Sequence, residues 1–449
     1  VFVCVVYCVF VNSHIELKSS RFLDVVKSTI FFDKSRLIKE AITHKFSLIT
    51  APRRFGKTTN LDMLREFVAI QVNEQGEVTN KNETEAYNVF RRLYIYEDKE
   101  FFYKHFGAYP VMYLDFKCDA EINSIKDVEG YFLKKAHLLF KEHEYLVKSA
   151  ELSGKQRAEV ARWCDAEDHK KLEHKMGLIT LGELMSIHYK TKVFVLIDNY
   201  DSLFKKAMFK LDREELRKVI RYVMKRISEL CNLLFIFEYG VVMGTSLIDA
   251  NILNQQLTLH GFKFLEEHSY AEFFGFMDYE MYGIFQNPLL SLTENQTGYI
   301  KYWYNGYKTR SGKDVYNPHS ILSCLDRGLV STYLEGSDDL AVMFKTSPVN
   351  RLQQLLAVNS STFQIVRSLT PDNLIDLRET YTMTAKSNNY DILFTYFLDL
   401  GYLCAYKIEN KVGASFMLKV PNFEVVKFFL ENASNFTNFN STHFSLKRN

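Results

Sequence analysis

The sequence lacks three features that would each have placed it in a class. It has no CxxC pair. Its seven cysteines, Cys4, Cys8, Cys118, Cys164, Cys231, Cys324 and Cys404, are scattered, which excludes the spacing of a zinc site and of a dense disulfide framework. It has no excess of one charge: 56 Lys and Arg against 54 Asp and Glu leave +2, so the basic footprint usual in a nucleic-acid binder is missing. It shows no membrane-spanning segment, since the apolar run at residues 1–11 is too short to cross a bilayer as a helix. What remains is an ordinary globular composition, 47% hydrophobic and 24% charged over 449 residues. That length suffices for about three average domains or two larger ones. Thirty-seven Phe and 27 Tyr favour dense packing with many tyrosine hydrogen bonds.

Two stretches stand out. In the first, the apolar run from Phe46 to Thr50 enters a turn holding Pro52 and Gly56, and Leu61, Met63, Leu64, Phe67 and Val68 then recur at helical spacing. The order is strand, loop, helix. Gly56-Lys57-Thr58 sits at the loop-to-helix junction, the place of the last three residues of the pattern G-x-x-x-x-G-K-[ST]. There, unpaired amides face an anion, a Lys reaches the outer phosphates and a hydroxyl ligates Mg²⁺. Ala51 occupies the position of the first Gly, so on these residues alone a surface turn with a chance Gly-Lys-Thr is the alternative. In the second stretch, Val193 to Ile197 is continuously apolar, as in a strand buried on both faces of a parallel sheet. Asp198 follows at its C-terminal end, where a carboxylate helps hold Mg²⁺. The pairing of the two stretches is more specific than either alone.

These residues resemble a known family. Phe31-Phe32-Asp33-Lys34-Ser35, Leu37-Ile38 and Pro52-Arg53-Arg54-Phe55-Gly56-Lys57-Thr58 look like the opening of the AAA-ATPase-like family. Those P-loop proteins carry Pro-Arg-Arg-Phe-Gly-Lys in place of the usual first Gly, and the resemblance runs to about Glu424. It implies an α/β fold, a P-loop NTPase parallel sheet sandwiched by helices, followed by a smaller mainly helical domain. It implies ATP and Mg²⁺ as ligands, with Arg53, Arg54, Phe55, Gly56, Lys57, Thr58 and Thr59 binding the nucleotide and Thr58 and Asp198 holding the metal. Arg53 and Arg54 either flank the phosphates or tie the loop to neighbouring acids. Asp115, at the end of the expected strand Tyr109–Phe116, either supports Mg²⁺ or the attacking water indirectly, or caps the strand.

The family reads Asp-Glu-Tyr-Asp where this chain reads Asp198-Asn199-Tyr200-Asp201. An amide orients water but has no useful basicity, so nucleotide binding is expected to survive and hydrolysis to be weak. Asp198, Asn199 and Asp201 form the candidate catalytic group, with Asp201 or Asp115 as the substitute base if the chain is an active intracellular ATPase. A nucleotide-free scaffold is a further alternative. The next strand is expected at Leu233–Phe237, and by that register Tyr239 and Met243 replace a Thr and an Arg that sense the γ-phosphate in relatives. The loop carrying Lys57 and the strand carrying Asp198 are expected on neighbouring strands of one sheet.

The expected organisation is a partial signal peptide over 1–13, the P-loop domain over 14–280, a mainly helical domain over 281–431 and a polar tail over 432–449. The apolar start reads either as a truncated secretory leader or as a buried strand. Six sequons, at Asn82, Asn295, Asn359, Asn432, Asn435 and Asn440, favour export and glycosylation over a cytoplasmic location. Export would suit a protein repurposed to bind a protein partner that the sequence does not identify. Asp212–Leu230 reads as an amphipathic helix with Leu216, Val219, Ile220, Val223 and Ile227 inward and Arg217, Lys218, Arg221 and Lys225 outward. That basic stripe reads as a solvated face rather than a nucleic-acid surface. Asn305-Gly306 marks a hairpin turn. Many relatives continue into a PD-(D/E)XK nuclease-like domain; this sequence ends before one, so no nuclease role is expected.

Overall fold

A computed structural model describes residues 14–73, 76–165, 176–248, 259–264, 266, 269–309, 311–334, 362–363, 369–370, 372–374, 377, 390–407 and 416–432. The expected leader at 1–13, most of the polar tail and the sequons at Asn359, Asn435 and Asn440 lie outside the described residues. The chain divides into two compact units. One comprises Lys18–Thr50 and Lys57–Phe262; the other takes in Val1–Leu17, Ala51–Gly56 and Lys263–Asn449, as far as they are described.

The first unit is the α/β layer expected from sequence. In chain order it holds α1 (Phe22–Val25), α2 (Leu37–Thr43), β1 (Phe46–Thr50), α3 (Lys57–Val68), α4 (Glu85–Phe90), α5 (Lys99–His105) and β2 (Val111–Asp115). It continues with α6 (Ile125–Glu142), α7 (Gly154–Cys164), α8 (Gly177–Tyr189), β3 (Val193–Asp198), α9 (Ser202–Met208), α10 (Arg213–Asn232), β4 (Phe237–Gly244) and β5 (His260–Phe262). The five strands form one parallel sheet in the order β2-β3-β4-β1-β5. Every residue of β1 and β3 is buried, because both faces of a parallel sheet are covered by its crossover helices. Helices α2 and α3 pack on the sheet, and α10 and α8 pack on β4 and β3 and on α6. The order corrects one expectation: β4 lies between β1 and β3, so the strands leading to Lys57 and to Asp198 are not neighbours.

Local chemistry accounts for the helix limits. The Asp212 side chain accepts from the amides of Glu214 and Glu215 at the start of α10, satisfying two of the donors that a helix start leaves open. The five apolar positions read from its periodicity are all buried, and Lys218, Arg221 and Lys225 are exposed. Ser153 and Gln156 form a capping box at α7, whose Trp163 and Cys164 point inward as expected.

The strand after α10 differs from expectation. It runs over Phe237–Gly244, not Leu233–Phe237. Residues 233–236 are spent on a turn in which Ile236 and Phe237 donate to the Leu233 carbonyl. That turn leaves Leu234 and Phe235 48% and 68% exposed, so an apolar run that looked like a strand is a loop.

The second unit contains β6 (Phe276–Met277), α11 (Asp278–Phe285), α12 (Glu294–Tyr304), β7 (Tyr307–Lys308), β8 (Asp314–Tyr316), α13 (Pro318–Arg327), β9 (Thr362–Phe363), α14 (Tyr390–Asp399), β10 (Cys404–Lys407), β11 (Phe416–Lys419) and α15 (Phe423–Asn432). It holds two small antiparallel sheets, β6-β8-β7 and β10-β11-β9, with α11 packed on the first. The hairpin β7–β8 forms just after Asn305-Gly306, and the Thr309 amide donates to the Lys313 carbonyl where it reverses. Gly306 has another purpose, since a Cβ there would lie 1.5 Å from the Pro421 carbonyl oxygen. Cys118, Cys164, Cys231, Cys324 and Cys404 are buried thiols.

Candidate functional site

The candidate site lies where β2 and β3 end and α3 begins. Thr58, in the first turn of α3, donates its hydroxyl to Asp198 Oδ2 at 2.6 Å. Asp198 is fully buried at the end of β3, and its Oδ1 accepts the Asn199 amide at 2.9 Å. Burial pushes its carboxyl above the ordinary range; the Thr58 hydrogen bond and the Lys57 charge pull the other way. Lys57 is itself buried. Asp115 is the register partner of Asp198 on β2. The sequence pattern therefore brings Lys57, Thr58 and Asp198 together, across 140 residues of chain in the case of the hydrogen-bonded pair. Thr59, one residue further along α3, is half-buried.

Asn199 has a left-handed backbone, with φ 53°, a conformation Asn tolerates better than most residues. Its Nδ2 donates to Asp115 Oδ1 at 2.9 Å, and the same oxygen accepts the Lys117 amide at 2.7 Å. Asp201 is differently placed. It is buried, and its Oδ2 accepts the amides of Thr245 and Ser246 at 2.9 and 3.0 Å and the Lys205 ammonium at 2.6 Å. Burial alone would raise its carboxyl, but Lys205 and the two amides together hold it below the usual range. Next to it the Tyr200 hydroxyl donates to the Ser246 carbonyl at 2.5 Å and accepts the Ile248 amide at 3.2 Å. This latch fixes the exit of β4 to the start of α9. Only the i,i+4 spacing of Asp201 and Lys205 hinted at it in the sequence.

Tyr239 does not belong to this site. It pairs with Phe194 at the start of β3, and its ring packs against Tyr109 and Phe194 at 5.4 and 5.3 Å, at the far end of the strands from Asp198. The four-residue shift of β4 is the cause. Met243 lies at the near end, buried, pairing with Ile49 and accepting the Tyr200 amide at 3.1 Å.

The segment Ala51–Gly56 links β1 to α3 and belongs to the second unit. Gly56 has φ 88° and Arg54 φ 67°; the first requires glycine and the second holds Arg in a sparsely populated region. Arg53 and Arg54 are exposed. The Phe55 ring is buried against Phe264 and Tyr307 at 4.8 and 5.2 Å, and its carbonyl accepts the Gly275 amide at 3.3 Å. In this segment Phe55 is a packing residue.

Among the described residues no group of three or more His, Cys, Asp and Glu side chains is placed to hold a metal ion. The donor set at Thr58 and Asp198 is all oxygen, which suits a hard cation that keeps waters and takes ligand phosphates. A model of the AAA-ATPase-like family, described as "Predicted AAA-ATPase", matches residues 21–248, just over half of the chain. The match takes in every strand of the parallel sheet except β5. No curated protein matches the chain.

Proposed function

The chain belongs to the AAA-ATPase-like family, and from that premise we propose that it is an ATP-binding protein whose hydrolytic step is impaired. In this reading the Gly56 amide and the Lys57 ammonium take the phosphates, following the sequence pattern. Thr58 and Asp198 hold Mg²⁺, whose chemistry when bound is to neutralise phosphate charge. Their oxygens already converge at 2.6 Å. The buried Asp198 carboxyl, raised by desolvation, is the kind of group a cation would favour in its charged form.

One observation carries the impairment. Where relatives place a glutamate, the Asn199 amide is spent as a donor to Asp115. Asp201, two residues on, is enclosed by Lys205 and two backbone amides. A water beside Asn199 would meet an amide, which orients water but has no useful basicity. The test is ATP binding by calorimetry with hydrolysis followed in parallel. Expected are Mg²⁺-dependent binding that Lys57→Ala abolishes, and turnover at the background of that variant.

A second reading, an active ATPase, is favoured by a single feature: Asp115 is only half-buried and sits beside Asn199. Sizeable wild-type turnover, lost in both Lys57→Ala and Asp115→Asn, would establish it in place of the first. Absence of any ATP-induced thermal shift would favour a nucleotide-free scaffold. Export as a glycosylated binding protein rests on the apolar run at 1–11 and on the sequons, of which Asn82 and Asn295 are exposed. Mass spectrometry of the native N-terminus and of those two asparagines tests it.

A further inference from the structure

The first unit has a concavity of about 540 Å³ whose lining includes neither Thr58 nor Asp198. That lies within the range of about 300–1,000 Å³ typical of small-molecule sites. It runs beside the edge strand β2, between the C-terminal half of α3 and the ends of α6 and α8. Three tyrosines line it, Tyr113, Tyr145 and Tyr189, together with Arg65, Glu66 and Glu142.

Its positive charge is already committed. Arg65 is 2.6 Å from Asp62 Oδ1 and 3.3 Å from Glu66 Oε1, and its guanidinium lies over the Tyr113 ring at 5.1 Å. His143, also on the wall, is neutral at physiological pH, because burial and the nearby His188 push it down to about 4. It is hydrogen-bonded to the Tyr145 hydroxyl at 2.8 Å, which meets the Tyr189 hydroxyl at 2.7 Å. Lys135, whose charge also reaches Glu142, has its ammonium over the Tyr131 ring at 5.3 Å. Two carboxylates thus face the cavity with Arg65 shared among three acids. Desolvation outweighs Arg65 at Glu66 and raises its carboxyl, the sign of a buried anion short of a counter-ion.

We propose that this cavity binds a small organic cation of the polyamine class, its ammonium groups paired with Glu66 and Glu142 and its methylenes against the tyrosine rings. Aromatic faces attract such cations and accept their apolar stems, whereas an anion would find no uncommitted cation among the described lining residues. The inference does not depend on the nucleotide reading, so it is tested without nucleotide.

The experiment is calorimetric titration of the full chain with spermidine at fixed ionic strength. Expected is saturable one-to-one binding with a dissociation constant at or below about 1 mM, weakened at least about tenfold in Glu66→Gln/Glu142→Gln. Glu142 is exposed at the rim, so Glu142→Lys leaves folding intact and should abolish binding, with circular dichroism confirming the fold. Absence of saturable wild-type binding, or binding unchanged in Glu142→Lys, would overturn the proposal.

Discussion

If Asp201 belongs to a latch and not to the hydrolytic machinery, removing its partner should cost stability before it costs chemistry. Lys205 and Asp201 are 6% and 3% exposed, and their charged atoms are 2.6 Å apart. Breaking a buried pair from one side costs about 3–5 kcal/mol, because it strands the other charge. In Lys205→Met the Asp201 carboxylate would keep the Thr245 and Ser246 amides, so the lower end, about 3 kcal/mol, is expected. Asp201→Asn/Lys205→Met leaves no charge and should recover much of that loss, giving a coupling energy of about 2 kcal/mol. The chain has two tryptophans, and Trp163 lies in the unit with the latch. With Trp303 replaced by Phe, urea unfolding followed by Trp163 emission reads that unit alone. The sign with pH is also fixed. A carboxyl held below its ordinary value contributes stability that is present above that value and lost as pH falls through the depressed one. Asp201→Asn should therefore flatten the acid limb of the unfolding profile. An unchanged urea midpoint in Lys205→Met would refute the latch and return Asp201 to the list of bases.

Tyr200→Phe removes a hydroxyl that both donates and accepts in the same latch; a loss of about 1–3 kcal/mol in the same unfolding assay is expected. Thr58→Ala should leave the fold intact and reduce the Mg²⁺ dependence of ATP binding in calorimetry, since it deletes one of the two converging oxygens. In the second unit, Glu424 is 1% exposed and accepts the Tyr333 amide at 2.8 Å, with its carboxyl pushed up to about 7 by burial. Because that value is raised, its favourable contribution is full below the ordinary carboxylate range and lost as pH rises through 7. Glu424→Gln should raise stability at pH 8 by roughly 2–3 kcal/mol relative to its effect at pH 4, read from Trp303 emission in a Trp163→Phe background.

The sheet was legible where a strand is buried on both faces: β3 leaves a continuous apolar run ending in Asp198, and β1 a short run of mostly apolar residues ahead of the turn with Pro52 and Gly56. Helix α10 was legible from its period, since burial of one face imposes it. The start of β4 was not. From Leu233 to Phe237 every residue is apolar, and such a run carries no register; solvent exposure of Leu234 and Phe235 is decided by how α10 ends. That error carried Tyr239 into the site and hid the strand's true exit at Gly244. The hydrogen bonds that define the site's chemistry were equally invisible. Asn199 meets Asp115 across 84 residues and Asp201 meets Thr245 across 44, and nothing local in the sequence encodes either pairing.

The same bonds bear on how deeply Asn199 is built into the site. Its backbone amide holds Asp198, its side chain holds Asp115, and its left-handed φ favours Asn over Glu. A glutamate at this position in the same backbone would meet a left-handed cost of roughly 1–2 kcal/mol. It would also forfeit the donor to Asp115, leaving three carboxylates close together, at 115, 198 and 199. Like charges at that spacing raise one another's pKa and resist joint ionisation. A carboxylate returned by a single substitution would therefore be both strained and partly protonated, so Asn199→Glu should bind Mg²⁺-ATP without gaining turnover. Brisk hydrolysis by that variant would mean that the surrounding residues still hold a catalytic arrangement and lack one group alone.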